Sequence, residues 1–184
     1  MKLPIFVATM LMVANIAFAE DRPVVLEENQ TVVQVNGMVC SFCAYGAEKA
    51  LSKLDGLDKA QLGDGVLIDI DTHRITLALR PGEKIPLREI YQRIRKAGYD
   101  PITFYLRSEG RLERSAGRLL LRDAKSGQIF WIVAGEIEGV PDDASITLQV
   151  SLVASQIPEL GANGAVKVTI DLLISDSDQA REDG

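Results

Sequence analysis

The chain has 184 residues, enough for one medium domain or two small ones. It sets 20 Lys and Arg against 26 Asp and Glu, a net charge of −6. That balance argues against a nucleic-acid partner, whose phosphates demand clustered cations, and two cysteines are too few for a disulfide framework.

The first 19 residues read as an address. Lys2 supplies a positive charge, and Leu3 to Phe18 is an apolar run broken by Pro4, Thr9 and Asn15. Ala17-Phe18-Ala19 matches a small-x-small cleavage site, so residues 1–19 are expected to be a signal peptide and the mature chain to be exported to the periplasm. The run is too short for a spanning helix, which needs about 20 apolar residues. Residues 20–30 form an N-terminal extension.

From Thr31 to about Leu106 the pattern predicts strand, helix, strand, strand, helix, strand. Val33 and Val35 alternate in the first strand. Ala47, Leu51 and Leu54 recur at helical spacing until Gly56. Val66, Ile68 and Ile70, then Ile75, Leu77 and Leu79, alternate on either side of Asp71-Thr72-His73, as a hairpin requires. Pro86 suits the first turn of a second helix. Leu87, Ile90, Ile94 and Ala97 form its inner stripe, and Gly98 ends it. Ile102, Phe104 and Leu106 make a last short strand. This β-α-β-β-α-β order predicts an α+β, ferredoxin-like unit over residues 31–107.

Residues 108–175 show no helical pattern. Arg118 to Arg122, Gln128 to Ala134, Ser145 to Ala154 and Ala165 to Ile174 are rich in Val, Ile, Leu and Thr. Turn signals at Lys125-Ser126-Gly127, Val140-Pro141-Asp142-Asp143 and Gly161-Ala162-Asn163-Gly164 separate them, which predicts a small all-β domain, an OB-like barrel or a sandwich. Arg107 to Arg111 is either a linker or the lead-in to this region. The tail, 176–184, is acidic and polar and is expected to be disordered.

The chemistry concentrates in Gly37-Met38-Val39-Cys40-Ser41-Phe42-Cys43, between the first strand and the first helix. Soft thiolates favour soft metals, so Cys40 and Cys43 suit Cu(I), and by the same softness Hg(II), one ion per chain. The partial positive charge of the helix start favours the ligating thiolate of Cys43. A two-ligand ion stays open to attack by another protein's thiol. Structural zinc wants four ligands, and the chain offers no third cysteine and only His73, read as a solvated turn residue. Once the leader is removed Met38 is the last methionine, and it is expected to pack beneath the loop. Two other readings of the pair stand behind metal capture: thiol–disulfide exchange, and a static disulfide or buried thiols.

Gly37, Met38, Cys40 and Cys43 match a Gly-Met-x-Cys-x-x-Cys pattern, and Ala97-Gly98-Tyr99 matches the Ala-Gly-Tyr that closes a second helix. On those residues and the element order, Thr31 to Leu106 resembles the heavy-metal-associated domain family, the module of copper chaperones, copper-pump N-terminal domains and the periplasmic mercury-binding protein. The family's usual Thr before the first cysteine is Val39 here. The resemblance implies that Cys40 and Cys43 are the metal ligands, that Met38 anchors the loop in the core, and that Tyr99 stands close to the metal. It implies a non-enzymatic metallochaperone or scavenger whose partner is a metal-transporting membrane protein or another thiol-bearing acceptor. It covers under half of the chain.

The alternatives are a periplasmic thiol–disulfide oxidoreductase, and an assembly module whose β domain carries the main role, with homo-oligomerisation through that domain. Arg88, Arg93, Arg95 and Lys96 give the second helix a basic face, read first as solvated and second as a dock for an acidic partner.

Overall fold

The computed structural model describes residues 24–39, 41–135, 137, 139–141, 143–160 and 165–174. The expected leader, Cys40, the Gly161-Ala162-Asn163-Gly164 turn and the tail lie outside the described residues. In chain order the elements are β1 (Gln30–Asn36), α1 (Ser41–Leu51), a broken helical turn α2 (Leu62–Gly65), β2 (Val66–Asp69), β3 (Arg74–Ala78) and α3 (Leu87–Lys96). There follow β4 (Asp100–Ser115), β5 (Arg118–Asp123), β6 (Ile129–Ala134), β7 (Ser145–Val153), a 3₁₀ turn (Ala154–Glu159) and β8 (Val166–Ile174). Among the described residues no helix is long and apolar enough to cross a membrane.

All eight strands join in one sheet, ordered β2-β3-β1-β4-β5-β6-β8-β7, and a further pairing of β4 with β7 closes the last five into a barrel. Every pairing is antiparallel except β6 with β8. The chain is therefore a mixed α/β protein in which a closed five-stranded barrel carries three extra strands on one side. Of the two forms expected for the second region, the closed barrel is found.

The first half follows its periodicity. Ala44, Ala47 and Leu51 of α1 and Leu87, Ile90 and Ile94 of α3 are buried over Val33, Val35, Ile75, Leu77, Phe104 and Leu106 of the sheet. Gly98 has φ 92°, and its N–H donates to the Arg95 carbonyl (3.0 Å), ending α3 where expected.

β4 departs from the expected pattern. The short strand ending at Leu106 runs on without interruption to Ser115, so Arg107 to Arg111 is strand interior and the boundary expected at 107/108 falls within β4. Phe104, Leu106, Ser108, Gly110 and Leu112 all point inward. Two of these are not apolar, which hides the alternation. Ser108 Oγ donates to an Asp123 carboxylate oxygen (2.8 Å) and so satisfies its hydroxyl. At Gly110 the backbone of β5 comes so close that a Cβ would stand 2.7 Å from the Arg122 carbonyl carbon and overlap its oxygen. The N-terminal part of β4 pairs with β1 (Thr31↔Leu106 to Asn36↔Asp100) and its C-terminal part with β5 (Gly110↔Asp123 to Ser115↔Arg118). Along the other edge β7 pairs from Thr103↔Val153 to Arg111↔Ser145.

A second departure is the 3₁₀ turn, in a region expected to lack helix. Its Ala154 and Ile157 are buried, and Arg88 of α3 donates to the carbonyls of Pro158 (3.1 Å) and Leu160. Further ties cross between the two parts. Ile85 N–H donates to Gln128 Oε1 (3.2 Å), Lys125 pairs with Glu28 (3.0 Å), and Gln149 Nε2 donates to the Val24 carbonyl (2.7 Å).

Candidate metal centre

The cysteine loop grows out of the end of β1. Gly37 has φ 88°, a backbone state that L side chains rarely adopt, and it turns the chain off the sheet. Met38 then points straight into the core, fully buried in one cluster with Val35, Ala47, Ile94 and Tyr99. Val39 points the other way and is 83% exposed. α1 begins at Ser41, so the Cys-x-x-Cys spacing straddles the helix start. Cys40 lies outside the described residues. Of Cys43 the backbone is described, within the first turn of α1.

Tyr99 follows directly on Gly98, which ends α3. It is buried just after α3, and its Cδ1 would lie 3.9 Å from a Cβ on Gly37, so the ring covers the inner side of the loop. Its N–H donates to the Ile94 carbonyl (3.2 Å), which fixes the backbone that carries the ring. Met38 and Tyr99 are thus both buried, one next to Gly37 in sequence and the other next to it in space. His73 is the turn residue expected, with φ 55°. Its carbonyl accepts from the Val35 N–H (3.0 Å), so this turn shares the cysteine-loop end of the sheet despite its distance in sequence.

The first turn of α1 contains no acidic residue. Nothing there competes with a thiolate for the positive helix end. Among the described residues there is no group of three or more His, Cys, Asp or Glu that could hold an ion.

The sequence reading missed the surface around the loop. Phe42 is 86% exposed and Tyr45 61%, which with Val39 makes an apolar collar on the outer side. The signal was present. Phe42 and Tyr45 are three residues apart and lie off the Ala44, Ala47 and Leu51 stripe, so a helix buries the stripe and leaves them outside.

The basic face of the second helix is largely used within the chain. Arg93 donates to the Ala50 (2.6 Å) and Lys53 (3.3 Å) carbonyls at the end of α1 and pairs with Glu89 (2.6 Å). Arg95 pairs with Asp100, and Arg88 holds the 3₁₀ turn. These bonds lock α1, the helix that carries Cys43, to α3.

A scan against protein-family models and a search of curated proteins find no match. Among solved structures the chain is similar to one described as a CopZ metallochaperone, at 22% identity over 40% of this chain and 98% of that chain, with a TM-score of 0.34.

Proposed function

We propose that this chain is an exported carrier of a soft metal ion, not an enzyme, which holds one Cu(I) or Hg(II) between Cys40 and Cys43 and passes it to a thiol-bearing acceptor. In this reading the β1–β4 unit is a ferredoxin-like, heavy-metal-associated domain, and the five-stranded barrel is OB-like. The single observation that carries the reading is the two-sided build of the loop. Its inner side is held by buried Met38 and the Tyr99 ring over Gly37, while its outer side opens through exposed Val39 and Phe42.

That build suits transfer. A backbone anchored at Gly37 and at buried Met38 leaves less of the loop for binding to order. Thiolates are the soft ligands that Cu(I) and Hg(II) prefer, and the helix start favours their negative charge. With two protein ligands the ion has room for a third thiol, so an acceptor can bind before the first bond breaks. The apolar collar gives the acceptor a surface to meet and keeps water from crowding the exchange.

The test is competition of the full mature chain against a Cu(I) chelator, with Cys40→Ser and Cys43→Ser in parallel, beside the reduction potential of the metal-free pair. Tight one-to-one Cu(I) binding lost in either variant supports the carrier. Fast disulfide exchange without metal uptake replaces it with the thiol–disulfide oxidoreductase.

A further inference from the structure

A second surface lies on the outside of the barrel, on the face formed by β4, β5, β6 and β8. The register sets Arg111 opposite Arg122, Glu113 opposite Leu120, Ser115 opposite Arg118, Leu120 opposite Trp131, and Trp131 opposite Lys167. The neighbours Leu112, Leu121, Phe130 and Val166 point into the barrel, so this alternate set points out. It brings four cations and Trp131 together on a chain whose net charge is −6.

Two features are costly unless something binds there. Arg111 and Arg122 stand directly opposite one another on adjacent strands, a like-charge pair that destabilises a sheet. Glu113 offsets Arg122 with an ion pair (3.0 Å), but among the described residues Arg111, Arg118 and Lys167 have no carboxylate partner. Arg118 and Lys167 lie instead over the Trp131 ring, 4.6 Å and 5.2 Å from its centre. Among the described residues the helices pack on β2, β3, β4 and the 3₁₀ turn, and none of them packs on β5, β6 or β8.

We propose that this face binds an extended, carboxylate-rich polypeptide segment of a partner protein. The charge complementarity is local, since the guanidinium groups offer forked N–H pairs that match carboxylates. Arg118 and Arg122 are about 13 Å apart along β5 and four strands span about 14 Å, which fits a strand-like segment of four or five residues. The occupied ring argues against a nucleic acid, because a base could stack on Trp131 only by displacing a cation. The site is separate from the cysteine loop and does not depend on the metal reading.

Trp131 is the single tryptophan, so its fluorescence reports on the site directly. The experiment titrates the full mature chain with a poly-glutamate peptide at low salt, by fluorescence and by calorimetry. Saturable binding is expected, weakened about tenfold or more at about 0.3 M salt, where screening shortens the reach of charge. Arg118→Glu with Lys167→Glu should abolish it, and the milder Arg118→Gln with Lys167→Gln should weaken it. Lys49→Ser, exposed on α1, which packs on α3 and β2, should leave it unchanged. No saturable binding, binding indifferent to the Arg118 and Lys167 variants, or tighter binding of an oligothymidylate would each overturn the proposal. So would binding seen only after residues 175–184 are removed, which would make the occupant the chain's own acidic end.

Discussion

Met38 separates packing from ligation at the cysteine loop. Its side chain is fully buried, in the cluster shared by Val35, Ala47, Ile94 and Tyr99. Met38→Ala removes all of that contact. The loop cannot easily collapse into the space, because Gly37 is held under the Tyr99 ring and the facing residues of α1 are already small alanines. Core truncations of this kind cost about 2–5 kcal/mol, and about 3 is expected here. For a chain of this size that lowers Tm by roughly 6–12 °C in the metal-free protein, read by thermal or urea unfolding.

The loop would also be less ordered before binding, so Cu(I) affinity should fall about tenfold, the equivalent of about 1.4 kcal/mol moved from folding to binding. Met38→Leu nearly conserves volume and should cost under about 1.5 kcal/mol. Because it keeps the packing, it should hold Cu(I) affinity within about twofold, well inside a 1.4 kcal/mol tenfold step. A hundredfold loss of affinity in Met38→Leu at unchanged stability would refute this reasoning and make the thioether a metal ligand. Stability unmoved in Met38→Ala would refute it from the other side.

The remaining expectations concern the frame. Gly110→Ala should destabilise the chain by about 3 kcal/mol or more, because backbone rather than a flexible side chain occupies the space its Cβ needs; hydrogen exchange should show the loss centred on the β4–β5 seam. Expressing residues 31–107 and 108–175 separately should leave at least one piece without a cooperative transition, since the cut severs β4 and strips β7 of part of its partner; two independently folding pieces would count against this. The hydrogen bond and charge of Lys125 hold the Glu28 carboxyl below its ordinary 4.5, and the same bond raises Lys125 above 10.5. A lowered carboxylate adds stability above its unfolded pKa and loses it as pH falls through the folded one; a raised lysine loses its share as pH climbs past 10.5. Both side chains are well exposed (55% and 41%), so the pair is worth under about 1 kcal/mol. Lys125→Met should flatten the acid limb of the stability–pH profile by no more than that.

Local signals made most of the elements legible. The four strands of the second region came from runs of branched residues between turn residues, and they lie within a residue of where those runs end. The α1 and α3 stripes followed the same logic. β4 failed because Ser108 and Gly110 occupy inward positions for reasons that belong to another strand, a hydroxyl partner on Asp123 and the close backbone of Arg122. The 3₁₀ turn failed because six residues containing Pro158 are too few for a helical period to emerge. The cysteine motif was visible, and so was the burial of Met38. What surrounds the loop was not, because exposure is a property of which face the neighbouring stripe leaves over. The basic barrel face was hidden for a related reason: its residues come from four strands, and only the strand order makes Arg111, Arg118, Trp131 and Lys167 neighbours.

The through-strand β4 also sets how the two surfaces relate. Its first residue pairs with Asn36, one step before the cysteine loop, and Arg111 and Ser115 near its far end border the basic face. From Asp100 to Arg111 a strand extends at most about 37 Å, less where the barrel curves it. Arg118 and Lys167 lie on β5 and β8, neither of which pairs with β1, so a partner segment across them need not cover Val39 and Phe42. Tethering at one end would raise the effective concentration of an acceptor at the other without touching the thiols. The element joining them is a strand paired on both edges from Thr103 to Leu106 and again at Gly110 and Arg111, so it cannot bend there without breaking ladder hydrogen bonds.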